Sequence, residues 1–145
     1  TGGTGLVGQE LIPHLEARGY TVKILSRRPG VASHQTILWS AETGVSDRDS
    51  LEGADLLIHL AGANVGAKRW SPSYKKELVD SRVRATRILF EQLGTLKMPP
   101  KIVLAAAAIG IYGNRADEIL TEESSPGAGF LPELARDWER EIERA

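Results

Sequence analysis

The segment TGGTGLVG, residues 1–8, restricts the fold of this chain more than any other stretch. Glycines at 2, 5 and 8 permit a turn too tight for side chains, of the kind that links a buried strand to the amino end of a helix. Residues 5–18 then read as that helix, with Val7, Leu11 and Leu15 on one face and Gly19 placed to end it. Pro13 lies inside it and removes one backbone hydrogen bond, so a slight kink is expected. The unpaired N–H groups at the start of such a helix attract anions, and the glycines let the backbone approach a pyrophosphate. Loops also use glycine simply for positive φ, so the triplet alone is weak evidence.

The remaining sequence supplies context. TVKIL (21–25) reads as a strand, SRRPG (26–30) as a turn, and TILW (36–39) as a short strand. Residues 46–53 allow one or two helical turns. ADLLIHLAG (54–62) and KIVLAAAA (101–108) are nearly continuous apolar runs, the pattern of strands covered on both faces. Between them, 63–70 is a polar loop. Ser71 and Pro72 form an N-cap and first position for a helix to about Leu93, with Leu78, Val83, Thr86, Leu89 and Leu93 facing the core. Residues 109–129 read as loop. A last helix begins at Phe130, its stripe made of Leu131, Leu134, Trp138 and Ile142. Alternating strands and helices predict an α/β domain over 1–145: a doubly wound, Rossmann-type parallel sheet with helices on both faces. In that arrangement the strand before the glycine turn lies mid-sheet, and its absence would cut the sheet in half. The sequence is therefore expected to be part of a longer polypeptide extending in both directions, with the substrate region largely outside it.

Composition narrows the function. Eighteen basic and nineteen acidic residues give a net charge of −1, and no basic run stands out, which argues against nucleic acid or anionic membrane as partners. With no cysteine there is no disulfide, thiolate metal site or cysteine nucleophile. His14, His34 and His59 lack metal-ligand spacing, and no metal is expected; His59, inside an apolar strand, reads as a hydrogen-bonded core residue. No apolar run approaches the ~20 residues of a membrane span. A cytoplasmic location is the expectation.

The corner ILSRRPG carries the choice of coenzyme. NAD-binding folds of this type usually place a carboxylate after the second strand, for the ribose 2′-hydroxyl. Ser26, Arg27 and Arg28 stand there instead, a hydroxyl and two guanidinium groups suited to a 2′-phosphate. NADP is the expected coenzyme; two solvated arginines on a turn is the plainer alternative.

TGGTGLVG, HLAGANV (59–65), KRWSPSYKKELVDSRVRATRIL (68–89), AIGIYG (108–113) and LTEESSPGAGFLPELARDWE (120–139) occur together in one protein group. The chain resembles, over essentially its whole length, the atypical extended short-chain dehydrogenase/reductases of the NAD-dependent epimerase, or cell-division-inhibitor-like, family. The resemblance implies a coenzyme site built from Gly2, Thr4, Gly5, Leu6, Val7 and Gly8 at the turn, and from Ser26, Arg27 and Arg28 at the adenosine 2′-phosphate. It adds Leu60, Ala61 and Gly62 beside the ribose and the bridge to the nicotinamide, and Glu77 and Arg82 as polar contacts. Five residues apart, the last two fall on adjoining helix faces, and a surface ion network is their ordinary alternative.

The chain departs from the superfamily pattern where the chemistry should be. Relatives carry a serine near a strand end, then a tyrosine with a lysine four residues on. Here Ala105–Ala108 and the Phe130…Leu134 segment occupy those places, and none can carry a proton. Such acid/base help is worth roughly 10²–10⁴ in rate. Tyr112 is the nearest remaining phenol and the candidate catalytic group, although a tyrosine packed into a strand-end turn is the commoner situation. Glu118, Glu122 and Glu123 lie in the following loop. Trp70 and Trp138 read as packing, with Trp70 also placed to wall the cleft. Two functions follow: an NADP-dependent oxidoreductase or nucleotide-sugar epimerase-like enzyme acting on a small molecule, or a non-catalytic NADP-binding sensor linked to cell or organelle division. A homodimer through the helices that follow the two apolar strands is a further expectation.

Overall fold

The computed structural model describes residues 1–30 and 34–144. Helix α1 (Leu6–Glu16) leaves the glycine turn with Gly5 as its N-cap and runs through Pro13. Strand β1 (Lys23–Ser26) pairs in parallel with β2 (Gln35–Ser40), in the register Leu25 to Ile37. Strand β3 (Gly44–Val45), not foreseen from the sequence, adds antiparallel to β2. The Gln92 amide holds it: Oε1 accepts from the Val45 N–H at 2.6 Å. Strands β4 (Leu56–His59) and β5 (Ile102–Ala105) pair in parallel, Ile58 opposite Leu104.

The sheet is present as two pieces, β1-β2-β3 and β4-β5, the division expected from the sequence. Edges of β1 and β4 face one another across a cavity of about 450 Å³, floored by Leu11, Ile12 and Leu15 of α1. The main core lies between these strands and the helix that follows β4, and contains Leu25, Ile37, Trp39, Leu57, Leu89 and Phe90. A fully buried leucine such as Leu89 contributes about 1.5–3 kcal/mol relative to exposure.

Two expectations need correction. The run 101–108 is a strand over Ile102–Ala105 only, and its side chains are open: Ile102 is 57% and Leu104 54% exposed, because among the described residues β4 is the one element packed extensively against β5. Apolar composition marks what a strand can bury, and neighbours decide whether it does. Residues 72–93 are not one regular helix: α2 (Pro72–Val79) and α3 (Ala85–Leu93) flank a π-helical turn, Asp80–Arg84. Such turns widen a helix by one residue and occur disproportionately at functional sites. The Ser71 hydroxyl caps α2 as expected, accepting from Tyr74 N at 3.2 Å. Helix α4 (Phe130–Glu143) packs on α3, tied there by Arg87, whose Nε and Nη2 donate to the two carboxylate oxygens of the buried Glu141 at 3.1 and 2.6 Å. No helix of the described residues is long and apolar enough to cross a membrane.

Candidate functional site

The glycine turn is shaped by contact with the end of β4. Gly2 has φ +74°, and a Cβ there would stand 2.7 Å from the carbonyl carbon of Leu60. Gly8 packs the first turn of α1 on the loop: a Cβ would lie 2.5 Å from Gly2 O. The turn closes with Gly5 N–H donating to Gly2 O at 3.0 Å. No side chain caps α1, no acidic residue lies in its first turn, and Leu6 and Val7 are exposed. The helix therefore presents unpaired N–H groups and a positive dipole end to the cleft.

Beside it, β1 ends at Ser26. The Ser26 hydroxyl oxygen accepts from Arg28 N–H at 3.1 Å, which folds the corner while leaving the hydroxyl proton free to donate. Arg27 and Arg28 are exposed, and neither guanidinium has a partner among the described residues. The corner is a cluster of unspent donors.

The third part comes from the end of β4. Arg82, in the π turn, has its guanidinium against Gly62, where a Cβ would stand 3.1 Å from Cζ. It lies 5.4 Å from the Trp138 ring centroid, and its buried Nη1 has no hydrogen-bond partner. Burial draws this guanidinium below the ordinary arginine value, with Tyr74 opposing. A desolvated cation with free donors favours an anionic or strongly accepting ligand. Glu77 is separate from it, bonded instead to Lys68 at 2.9 Å. The ion-network alternative thus describes Glu77 and not Arg82.

Under the same strand end runs a polar chain that sequence reasoning did not find. His59 is fully buried; its Nδ1 is 2.6 Å from Thr1 Oγ1 and its Nε2 3.0 Å from Thr86 Oγ1. Trp138 Nε1 donates to Thr86 Oγ1 at 2.9 Å, and Ala61 N–H donates to Thr1 Oγ1 at 3.3 Å. Burial pushes the His59 imidazole down to about 4, so it is neutral at pH 7. Ser81 fixes the next loop by accepting from Ala63 N–H at 3.1 Å. Two hints lay in the sequence: His59 inside an apolar strand, read there as a hydrogen-bonded core residue and found so, and Thr86, a hydroxyl on an otherwise apolar helix face.

Tyr112 sits half-buried in the 3-10 turn Ile109–Tyr112, and no hydrogen bond engages its phenol among the described residues. Its backbone is tightly covered, since a Cβ on Gly127 would lie 2.2 Å from Tyr112 O. Leu134 is 5% exposed and packs with Tyr74 and Leu78; Phe130 meets Trp70 edge-on, with centroids 5.6 Å apart. Arg115 binds the Glu118 carboxylate through two nitrogens, both at 2.7 Å. Trp70 is 40% exposed and donates to Val65 O at 2.8 Å.

A glycine turn on a helix amino end, beside the carboxyl ends of two parallel strand pairs, defines a Rossmann-type nucleotide-binding protein. Residues 1–131 match the NAD dependent epimerase/dehydratase family, and the chain belongs to it. It is 35% identical over 139 residues to the epimerase family protein ML0860 of Mycobacterium leprae, covering 95% of this chain and 44% of that protein. The crystal structure of the nucleoside-diphosphate sugar epimerase from Corynebacterium glutamicum is 36% identical with a TM-score of 0.78, over 98% of this chain and 29% of that one. The human epimerase family protein SDR39U1 (isoform 2), solved with NADPH, is 28% identical with a TM-score of 0.78, over 97% of this chain and 46% of that one. The chain spans less than half the length of these relatives.

Proposed function

We propose that the protein binds NADP(H) and acts as an atypical short-chain dehydrogenase/reductase, an oxidoreductase or nucleotide-sugar epimerase-like enzyme on a small molecule, in the cytoplasm. The observation that carries this reading is the corner Ser26-Arg27-Arg28, whose donors are unspent and which ends the strand whose Ile24 side chain lies against Gly3 of the glycine turn. The residues fit the coenzyme on the chain's own geometry. Gly2 leaves no room for a side chain against Leu60, α1 lacks both a cap and an acidic first turn, and Arg82 holds a buried nitrogen without a partner.

In this reading Gly2, Thr4, Gly5, Leu6, Val7 and Gly8 cradle the pyrophosphate through backbone N–H groups. Ser26, Arg27 and Arg28 hold the 2′-phosphate. Leu60, Ala61 and Gly62 lie along the ribose and nicotinamide bridge, Glu77 contributes a polar contact, and Arg82 supplies a charged donor. When bound, a reduced nicotinamide supplies a hydride. Tyr112, with its hydroxyl uncommitted, is the group proposed to donate a proton to a substrate carbonyl.

A second reading, an NADP-binding sensor without catalysis, draws on the strand end at Ala105–Ala108 and on Phe130 and Leu134, where no side chain carries a proton.

Calorimetry on the natural full-length protein tests the coenzyme. Arg27→Ala should weaken NADPH by roughly 10- to 100-fold, the cost of a hydrogen bond to a charged group, and NADH by no more than about threefold. Equal losses defeat the assignment. Following the absorbance of the reduced nicotinamide with a panel of carbonyl substrates separates the two functions. Turnover abolished by Tyr112→Phe favours the enzyme; tight NADPH binding without turnover favours the sensor.

A further inference from the structure

We propose that Trp138 is a positioning residue for the coenzyme site, holding the end of β4 and Arg82 through two different parts of one indole. The inference rests on the coenzyme reading above and assigns a role to the tryptophan of the RDWE segment (136–139), otherwise read as packing.

Trp138 is 4% exposed on α4. Its ring lies beneath Arg82, whose guanidinium in turn lies beneath Gly62. Its Nε1–H points the other way, to Thr86 Oγ1 at 2.9 Å, and the contacts continue through His59 to Thr1 and the Ala61 N–H. Gly62 and Ala61, adjacent at the end of the strand, are thus each supported from the same side chain.

The protons in this chain have one order that leaves no deeply buried donor unspent. Indole N–H can only donate, so Thr86 accepts from it. Thr86 is fully buried and among the described residues has no other acceptor than His59, so its hydroxyl proton goes to Nε2. Nδ1–H then donates to Thr1 Oγ1, which also accepts from Ala61. The spare proton falls on Thr1, half-buried at the glycine turn, where an uncommitted donor costs least.

The test is calorimetric NADPH binding to the natural full-length protein and its variants. Trp138→Phe removes the N–H and keeps a ring under Arg82, and should weaken NADPH about 5- to 10-fold, the scale of one buried hydrogen bond. Thr86→Val should do the same, and the double variant should be no weaker than either single one by more than about twofold, because both cut one chain. Thr86→Ser should restore affinity to within about twofold, and Trp138→Leu should lose more than Trp138→Phe, because Arg82 also loses its ring. Nitrogen-15 spectra of unsubstituted protein should show His59 as the Nδ1–H tautomer, a readout that stands even where a variant fails to fold. Unchanged affinity in Trp138→Phe and Thr86→Val, with only melting temperature lowered, overturns the inference, as does the Nε2–H tautomer. Absence of NADPH binding in the unsubstituted protein instead overturns the coenzyme reading beneath it.

Discussion

The guanidinium of Arg82 occupies the space that a side chain at Gly62 would need, with Cζ 3.1 Å from the position of a Cβ there. Glycine at 62 serves this close approach and not the backbone, which does not lie in the left-handed region; a side chain there would make the guanidinium shift. The pairing leaves a partly desolvated cation, its buried Nη1 without a hydrogen-bond partner among the described residues, at the carboxyl end of a parallel strand, where ligands of such sheets bind.

Gly62→Val should displace the guanidinium and lower NADPH affinity by about tenfold, the loss of one charge-assisted contact, while the fold persists. Gly62→Ala should have a smaller effect. Calorimetry measures both, and circular dichroism reports folding; full affinity in Gly62→Val would remove Arg82 from the site.

The glycine turn should be intolerant for a reason that a remote glycine does not share. Gly2→Ala combines a positive φ with a Cβ 2.7 Å from backbone, and should cost about 2–5 kcal/mol of stability. Gly19→Ala, at φ +84° with nothing within 4 Å, should cost only the conformational part, about 1–2 kcal/mol. Equilibrium denaturation of the two variants decides; equal costs would mean that the contact with Leu60 carries no weight.

His59 should make stability depend on pH between about 4 and 6.5. An imidazole of ordinary pKa 6.5 in the unfolded chain falls to about 4 in the fold, so below pH 6.5 the unfolded state binds the extra proton. The stabilisation is complete above 6.5 and is lost as pH falls toward 4, about 3 kcal/mol in all from a shift of this size. Denaturant unfolding across that range, compared with His59→Gln, measures it. An identical pH slope in the variant would show that His59 is not the titrating group.

Periodicity and punctuation made most elements legible. Ser71-Pro72 announced a helix start because capping is a local hydrogen bond, and the spacing of Leu134 and Trp138 announced a buried stripe because helical geometry repeats. The glycine turn and the basic corner could be read as parts of one site, since each is built from consecutive residues. Beyond that reach, β3 is two residues long and is held by Gln92 of a distant helix, and the π turn has no local signature in DSRVR.

What the sequence by itself determined is therefore the order of strands and helices and the chemistry offered at each turn, because both depend on neighbours within a few positions. Tertiary structure alone decided that Arg82 lies under Gly62 and that Trp138, Thr86, His59 and Thr1 form one buried chain. Residues 20 to 60 positions apart meet only when the backbone brings them together, and a buried polar group must then find a partner there or remain unpaired.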